Sequence, residues 1–201
     1  VFDRYNFTVN EAEPLEKEVA VDPEMLGKVF ENLLPENIRH ASGTYYTPRV
    51  IVHYMCQKAL LHYLSARAGD IPQADLALFL RLAERFADFE AKETKAHADK
   101  RLPESISQNA ARLDELLATI TVCDPAIGSG AFPVGMMHEI VRARLALAAV
   151  DEMPAQTPYA LKRHAIHHSL YGVDLDPGAV EIAKLRLWLS MIVDEDEISD
   201  I

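Results

Sequence analysis

Residues 122–132 read VCDPAIGSGAF, and this stretch decides the fold. The β-branched residues at 119–123 predict a short buried strand, and a long apolar segment with helical spacing follows residue 130. Gly128 and Gly130 allow unusual backbone dihedral angles and a close approach of a ligand. We therefore predict a strand that ends in Asp124, a tight turn and a helix N-terminus, whose free N–H groups suit the negative end of a ligand.

The same order of elements follows at residues 169–177, which read SLYGVDLDP. We predict a second strand over 169–173. Asp176 before Pro177 is typical of a helix N-cap, and we expect that structural role for it. Asp174 ends the strand, where a carboxylate can accept hydrogen bonds from both hydroxyls of a ribose, and Leu175 can then lie against an adenine face.

The helical predictions place most helices before the first strand. Apolar spacing, proline and glycine predict helices at about 23–34, 48–68, 75–98, 104–117, 131–150, 159–168 and 177–192. Helices followed by strand–helix–strand–helix indicate an α/β fold with a doubly wound parallel sheet. Two parallel strands do not make a stable open sheet by themselves, so we expect a truncated sheet from a longer polypeptide.

The composition is that of a globular protein. Among 201 residues, 49% are hydrophobic and 25% charged, which excludes disorder along the whole length. Cys56 and Cys123 are too far apart in sequence for a metal-type pair and too few for a disulfide scaffold. The sequence shows no membrane-length apolar run and no signal-peptide pattern. We expect a reduced, cytoplasmic protein.

The net charge of −11 is concentrated at the two ends of the chain. Residues 1–24 carry seven acids against two bases and residues 194–201 carry five acids, so that each segment has a net charge of −5. Residues 25–193 therefore have a net charge of about −1, which is not typical of a surface that binds nucleic-acid phosphates. Any nucleic-acid partner must be held mostly by regions outside this chain.

Two common glycine motifs do not fit. The dinucleotide-binding pattern needs a third glycine where this chain has Pro133, and the phosphate loop needs a lysine where Met136 follows Gly135. Without that lysine, a ligand with a carboxylate and an ammonium group is favoured over a polyphosphate. A structural turn without any ligand is the alternative interpretation.

Three motifs together resemble a known family. Residues 43–48 (GTYYTP), 124–132 (DPAIGSGAF) and 172–177 (GVDLDP) look like the cofactor-binding motifs of gamma-type S-adenosylmethionine-dependent DNA adenine-N6 methyltransferases. The resemblance is to type IIG restriction-modification enzymes and related phage-defence methylases. It implies a helical N-terminal region over 1–117, with a cofactor-contacting loop at 43–48, and part of a Rossmann-like cofactor-binding domain over 118–201.

The resemblance also implies roles for single residues. Thr47 and the backbone of Tyr45 and Tyr46 would hold the methionine carboxylate, although Tyr46 could instead pack its loop onto the sheet. Asp124 would bind the methionine ammonium group, and Asp174 the ribose. Gly128 and Gly130 would pass under the cofactor. The full set of predicted S-adenosylmethionine-binding residues is Tyr45, Tyr46, Thr47, Asp124, Pro125, Ala126, Gly128, Gly130, Phe132, Asp174 and Leu175.

One departure from the family is decisive for activity. The family's catalytic Asn-Pro-Pro-Tyr type motif, which holds a flipped base, is absent from these residues, so we assign no catalytic residue. We expect the chain alone to be inactive. The full enzyme would methylate adenine in double-stranded DNA, with a fused nuclease or restriction partner possible. The alternatives are a methyltransferase of protein, RNA or a small molecule, and a non-catalytic helical interaction module.

His164, His167 and His168 cluster on one predicted helix, but no cysteine or acid completes a ligand set, and we expect no metal. His53 is predicted at the boundary of a core helix, and Trp188 in the core.

Overall fold

In a computed structural model the described residues are 26–29, 47–90, 102–150 and 156–193, with the side chains of residues 85–90 excluded. Residues 26–29 form a short helical segment. The other elements are α1 (Arg49–Arg67), α2 (Gln73–Glu90), α3 (Glu104–Ser107), α4 (Ala110–Thr119), β1 (Val122–Asp124), α5 (Ala131–Ala148), α6 (Pro158–His168), β2 (Leu170–Gly172) and α7 (Pro177–Ile192).

The strands β1 and β2 are hydrogen-bonded neighbours and run parallel. The Val122 N–H donates to the Ser169 carbonyl at 2.7 Å, and the Val173 N–H donates to the Asp124 carbonyl at 2.9 Å. The residue numbers of the bonded partners rise along both strands, as in a parallel pair. The first strand was expected to be buried, but Cys123 at its centre is exposed. In the part of the chain that the structure describes, the sheet has two strands, and neither has a second strand neighbour.

Two helices begin as their sequences indicate. The Thr157 side chain accepts a hydrogen bond from the Ala160 N–H at 3.2 Å, directly before the proline that opens α6. Asp176 accepts from the Gly178 N–H at 2.8 Å and caps α7, so its predicted N-cap role is confirmed. In both cases the cap and the proline are adjacent local signals, although only the Asp176 cap was predicted.

The helix predicted over 104–117 is interrupted. It divides into α3 and α4 at Gln108 and Asn109, and the Asn109 side-chain amide donates to the Ser105 carbonyl at 2.9 Å. Asparagine competes for backbone groups in this way, and apolar spacing alone does not reveal such a break.

The chain divides into two compact units that interleave along the sequence. Of the described residues, 26–29, 47–48, 124–134 and 172–193 form one unit, called here the strand-end unit. Residues 49–90, 102–123, 135–150 and 156–171 form the other, called here the helical unit. The division at residue 117 that the sequence suggested is a different one and stays a prediction.

The helical unit has an apolar core. Side chains from five of its helices are fully buried there, namely Cys56, Leu60, Leu64, Leu76, Phe79, Ile106, Leu113, Leu117, Met137, Ile140 and Leu147. Arg144 adds a bidentate ion pair with Asp114, at 2.7 and 3.1 Å, which joins α5 to α4. The helical unit therefore has its own apolar core and a half-buried ion pair that joins two of its helices.

His53 lies between two carboxylates in the helical unit. Its Nδ1 is 2.9 Å from Glu139 Oε1, and its Nε2 is 3.4 Å from Glu84 Oε1. The half-buried histidine sits at the core boundary, as predicted, and links α1 to α2 and α5. Periodicity did not identify the two glutamates, because they lie on other helices.

Among the described helices, none combines the length and the apolarity that a membrane crossing requires. The described elements are mostly helical, with two parallel strands, and the doubly wound sheet remains a prediction.

Candidate functional site

The candidate site lies in the strand-end unit, at the carboxyl ends of β1 and β2. Asp124 is the last residue of β1, and Asp174 comes two residues after the end of β2. Parallel neighbours end at the same edge of a sheet, which is where open α/β sheets bind ligands. Both carboxylates bind backbone amides of the same turn, residues 124–130.

Asp124 closes the first part of the turn. Its Oδ1 accepts a hydrogen bond from the Ala126 N–H at 3.0 Å, and the side chain is half-buried. Pro125 and Ala126 are exposed beside it. An ionised carboxylate has about four acceptor positions, so this bond leaves Asp124 capacity for an ammonium group.

Asp174 holds the turn to the loop after β2. Its Oδ2 accepts from the Gly128 N–H at 2.8 Å, and its Oδ1 accepts from the Asp176 N–H at 2.9 Å. Next to it, the Ile127 N–H donates to the Val173 carbonyl at 2.9 Å. Asp174 thus has a structural role that the sequence did not indicate, and each of its oxygens retains acceptor capacity for a hydroxyl.

The two glycines of the turn differ in their surroundings. Both have positive φ, +51° at Gly128 and +84° at Gly130. A Cβ built on Gly128 would meet no atom within 4 Å, whereas one on Gly130 would lie 2.8 Å from the Ala183 Cβ of α7. Gly130 is therefore required for packing against α7, and Gly128 leaves open space above the turn.

Ile127 occupies part of the strand-end region. A Cβ on Gly172 would overlap the Ile127 side chain, so this side chain lies directly against the end of β2. The amide that binds Asp174 and the open side of Gly128 both belong to residue 128 of the turn. The strand ends are thus partly covered by the protein itself, and the open side is at Gly128.

The other predicted site residues differ in their exposure. Leu175 is completely exposed, at 102%, directly after Asp174. Phe132 is half-buried in the first turn of α5. Thr47 is half-buried and precedes α1, and it belongs to the strand-end unit. Tyr45 and Tyr46 lie outside the described residues. The cofactor roles of all these residues stay predictions.

Sequence reasoning missed a buried contact under the turn. Arg186 of α7 is 3% exposed, and its Nη1 donates to the Ser129 carbonyl at 2.7 Å and to the Ser129 Oγ at 3.2 Å. Ser129 lies between the two glycines and is also 3% exposed. The available signal was an arginine inside the otherwise apolar stretch LRLWL at 185–189.

Trp188 is 52% exposed, so its predicted core position is wrong. The buried face of α7 carries Ala179, Ala183, Arg186 and Ser190 at helical spacing, and Trp188 lies off that face.

The three histidines His164, His167 and His168 lie in α6. Burial and the nearby Arg144 guanidinium lower the pKa of His164. In the described ranges, no group of three or more His, Cys, Asp or Glu side chains could hold a metal ion.

Comparison with known proteins finds a curated relative that aligns with almost the whole of this chain. The chain is 34% identical over 199 residues to a protein of Methanocaldococcus jannaschii provisionally named a type II restriction enzyme and methyltransferase. The alignment covers 96% of this chain and 16% of that protein, so the chain is homologous to a segment of a much longer polypeptide. No family model matches the chain. No solved structure matches it either.

Proposed function

We propose that this chain is the cofactor-binding segment of a restriction-modification DNA methyltransferase that transfers a methyl group from S-adenosylmethionine to the N6 amine of adenine. The observation that carries the proposal is the convergence of Asp124 and Asp174 on one glycine turn, at adjacent parallel strand ends. The homology to a protein named as a restriction enzyme and methyltransferase supports the same class of enzyme.

The residues of the turn fit this cofactor chemically. S-adenosylmethionine presents an ammonium group, a carboxylate, a ribose with two hydroxyls and an apolar adenine face. Asp124 retains acceptor capacity for the ammonium group, and Asp174 for the hydroxyls. The open side of Gly128 leaves the space that a Cβ would occupy, and exposed Leu175 offers an apolar side chain to the base. The cofactor supplies an electrophilic methyl group.

The chain's own residues would bind and orient the cofactor, and transfer would be completed elsewhere. In the full enzyme the adenine amine would receive the methyl group directly, with no covalent intermediate on the protein. The target base must leave the DNA stack to reach the cofactor. We place base binding and DNA contacts in regions outside this chain, because residues 25–193 carry a net charge of only about −1.

Cofactor binding is the direct test. We expect Asp174→Ala in the full-length protein to weaken S-adenosylhomocysteine binding by at least about tenfold in titration calorimetry, since a charge-assisted bond is lost. Asp176→Ala is the matched control: the same residue type in the same loop, bonded to a backbone amide, with a helix-capping role. It should cost about 1 kcal/mol of stability and leave the affinity within about twofold.

Equal losses in both variants would contradict the ribose assignment. No binding by the folded wild-type protein would reject cofactor binding and favour the non-catalytic helical module. Transfer of a labelled methyl group to DNA, followed by nucleoside digestion, identifies the acceptor: label in N6-methyladenine supports the proposal. Label found only in protein, RNA or a small molecule rejects it.

A further inference from the structure

The buried guanidinium of Arg186 acts on the middle of the glycine turn. Its Nη1 reaches both the carbonyl and the hydroxyl of Ser129, at 2.7 and 3.2 Å. Residues 128 and 130 on either side have the left-handed backbone that gives the turn its shape. A charge-assisted hydrogen bond to a carbonyl is about twice as strong as a neutral one. Arg186 thus contacts the turn between its two conformationally special positions.

The peptide group between Ser129 and Gly130 is fixed from both sides. Its carbonyl accepts from Arg186, and its N–H donates to the Ile127 carbonyl at 2.9 Å. The C=O and N–H of a trans peptide point in opposite directions within one plane, so two such bonds set the orientation of that plane. This peptide leads directly into α5. The first backbone N–H groups of a helix point out of its N-terminal end.

Gly27, in the segment 26–29, packs against the same guanidinium. A Cβ built on Gly27 would lie 2.5 Å from Arg186 Nη1 and 3.0 Å from Ser129 Oγ. The residue at position 27 therefore has to lack a side chain for Arg186 to keep its place. Burying a cation has a large desolvation cost, which an apolar residue on this face of α7 would avoid.

We infer that Arg186 is a positioning residue for the cofactor turn: it orients the Ser129–Gly130 peptide for the amino-acid end of the cofactor, and Gly27 keeps it in place. The inference rests on the proposed function. Asp124, proposed for the methionine ammonium group, is itself a residue of the turn. Asp174, proposed for the ribose, accepts from the Gly128 N–H of the turn, but the Asp176 N–H also holds it within the loop after β2, where Leu175 lies too. Loss of Arg186 should therefore affect the amino-acid end most.

Two ligands separate positioning from general support of the fold. Titrations of the full-length protein use S-adenosylhomocysteine and 5′-methylthioadenosine, which lacks the amino-acid part. We expect Arg186→Met to weaken the first ligand at least about tenfold and the second no more than about threefold. Arg186→Lys keeps the charge without the planar fork and should give an intermediate loss. Lys184→Met is the matched control on α7, where exposed Lys184 pairs only with exposed Glu181 among the contacts described for it.

Gly27→Ala provides an independent variant that displaces the guanidinium without removing it. It should reproduce the selective loss of S-adenosylhomocysteine affinity, and it keeps the inference testable if Arg186→Met does not fold. Equal weakening of both ligands, or unchanged affinity in folded Arg186 and Gly27 variants, overturns the positioning role alone. Failure of the wild-type protein to bind S-adenosylhomocysteine overturns the proposed function, and this inference with it.

Discussion

At the scale of single residues, the two glycines of the turn serve different purposes. Both need a positive φ, but only Gly130 faces a neighbouring helix at a distance that excludes a methyl group. Gly128 has a free side, and its N–H is already bonded to Asp174. The Gly128 amide is thus part of the turn's own structure, and what Gly128 offers a ligand is close approach.

This difference predicts different outcomes for two alanine variants. Gly130→Ala should lower the free energy of unfolding by about 2–4 kcal/mol, because backbone strain adds to overpacking against Ala183. Gly128→Ala should lower it by about 1–2 kcal/mol, from strain alone, while weakening S-adenosylhomocysteine binding at least about tenfold. Urea unfolding and calorimetry measure the two effects. Normal cofactor affinity in Gly128→Ala would show that the ligand does not pass over this residue.

At the scale of elements, α1 and α5 contact closely within the helical unit. A Cβ on Gly135 of α5 would lie 2.5 Å from Val52 Cγ1 and 3.4 Å from Cys56 Sγ. Small residues at a helix crossing let the two backbones approach. The phosphate-loop pattern gave Gly135 no role, and the structure gives it a packing role.

The crossing can be tested with a double-mutant cycle. Gly135→Ala should destabilise the protein by about 1–3 kcal/mol, because the added methyl overlaps the Val52 side chain. Val52→Ala should also destabilise by itself, since it removes buried methyl groups. Combined, the two substitutions should cost less than the sum of the single effects, by at least about 0.5 kcal/mol. Strict additivity in urea unfolding would contradict the close contact.

At the scale of the whole molecule, a buried thiol reports on opening of the helical unit. Cys56 is fully buried, and burial, reinforced by the nearby Glu139 carboxylate, raises its pKa to about 12. The raised pKa therefore stabilises the folded state, and this contribution is complete at pH values below the pKa of the thiol in the unfolded chain. That contribution is lost as the pH rises from about 9 towards about 12.

Alkylation measures this opening. At pH 8 we expect iodoacetamide to modify Cys56 only through opened molecules, since the native thiol is both neutral and covered. Its modification rate, followed by peptide mass spectrometry, should rise with urea in parallel with global unfolding. Cys123, which is exposed, provides the internal control and should react at once. Native Cys56 reacting as fast as Cys123 without urea would contradict its burial.

Local sequence signals were sufficient for the cap of α7 and for the shape of the turn. Asp176 and Pro177 are adjacent, and a glycine preference at a tight turn depends on the backbone of that residue itself. The same holds for most helix positions, whose apolar spacing repeats within one segment. The helix predicted at 104–117 is present as two helices, and the break between them, where the Asn109 side chain bonds the Ser105 carbonyl, is not visible in the apolar spacing.

The sequence by itself determined the strand–turn–helix segments and the glycines they require, because those depend on neighbouring residues. Tertiary structure decided which distant groups meet: Asp174 binds an amide 46 positions earlier, and Arg186 binds a carbonyl 57 positions earlier. The exposure of Trp188 was decided in the same way, by which face of α7 is covered. Such contacts depend on how segments far apart in the chain pack, and no local periodicity encodes that packing.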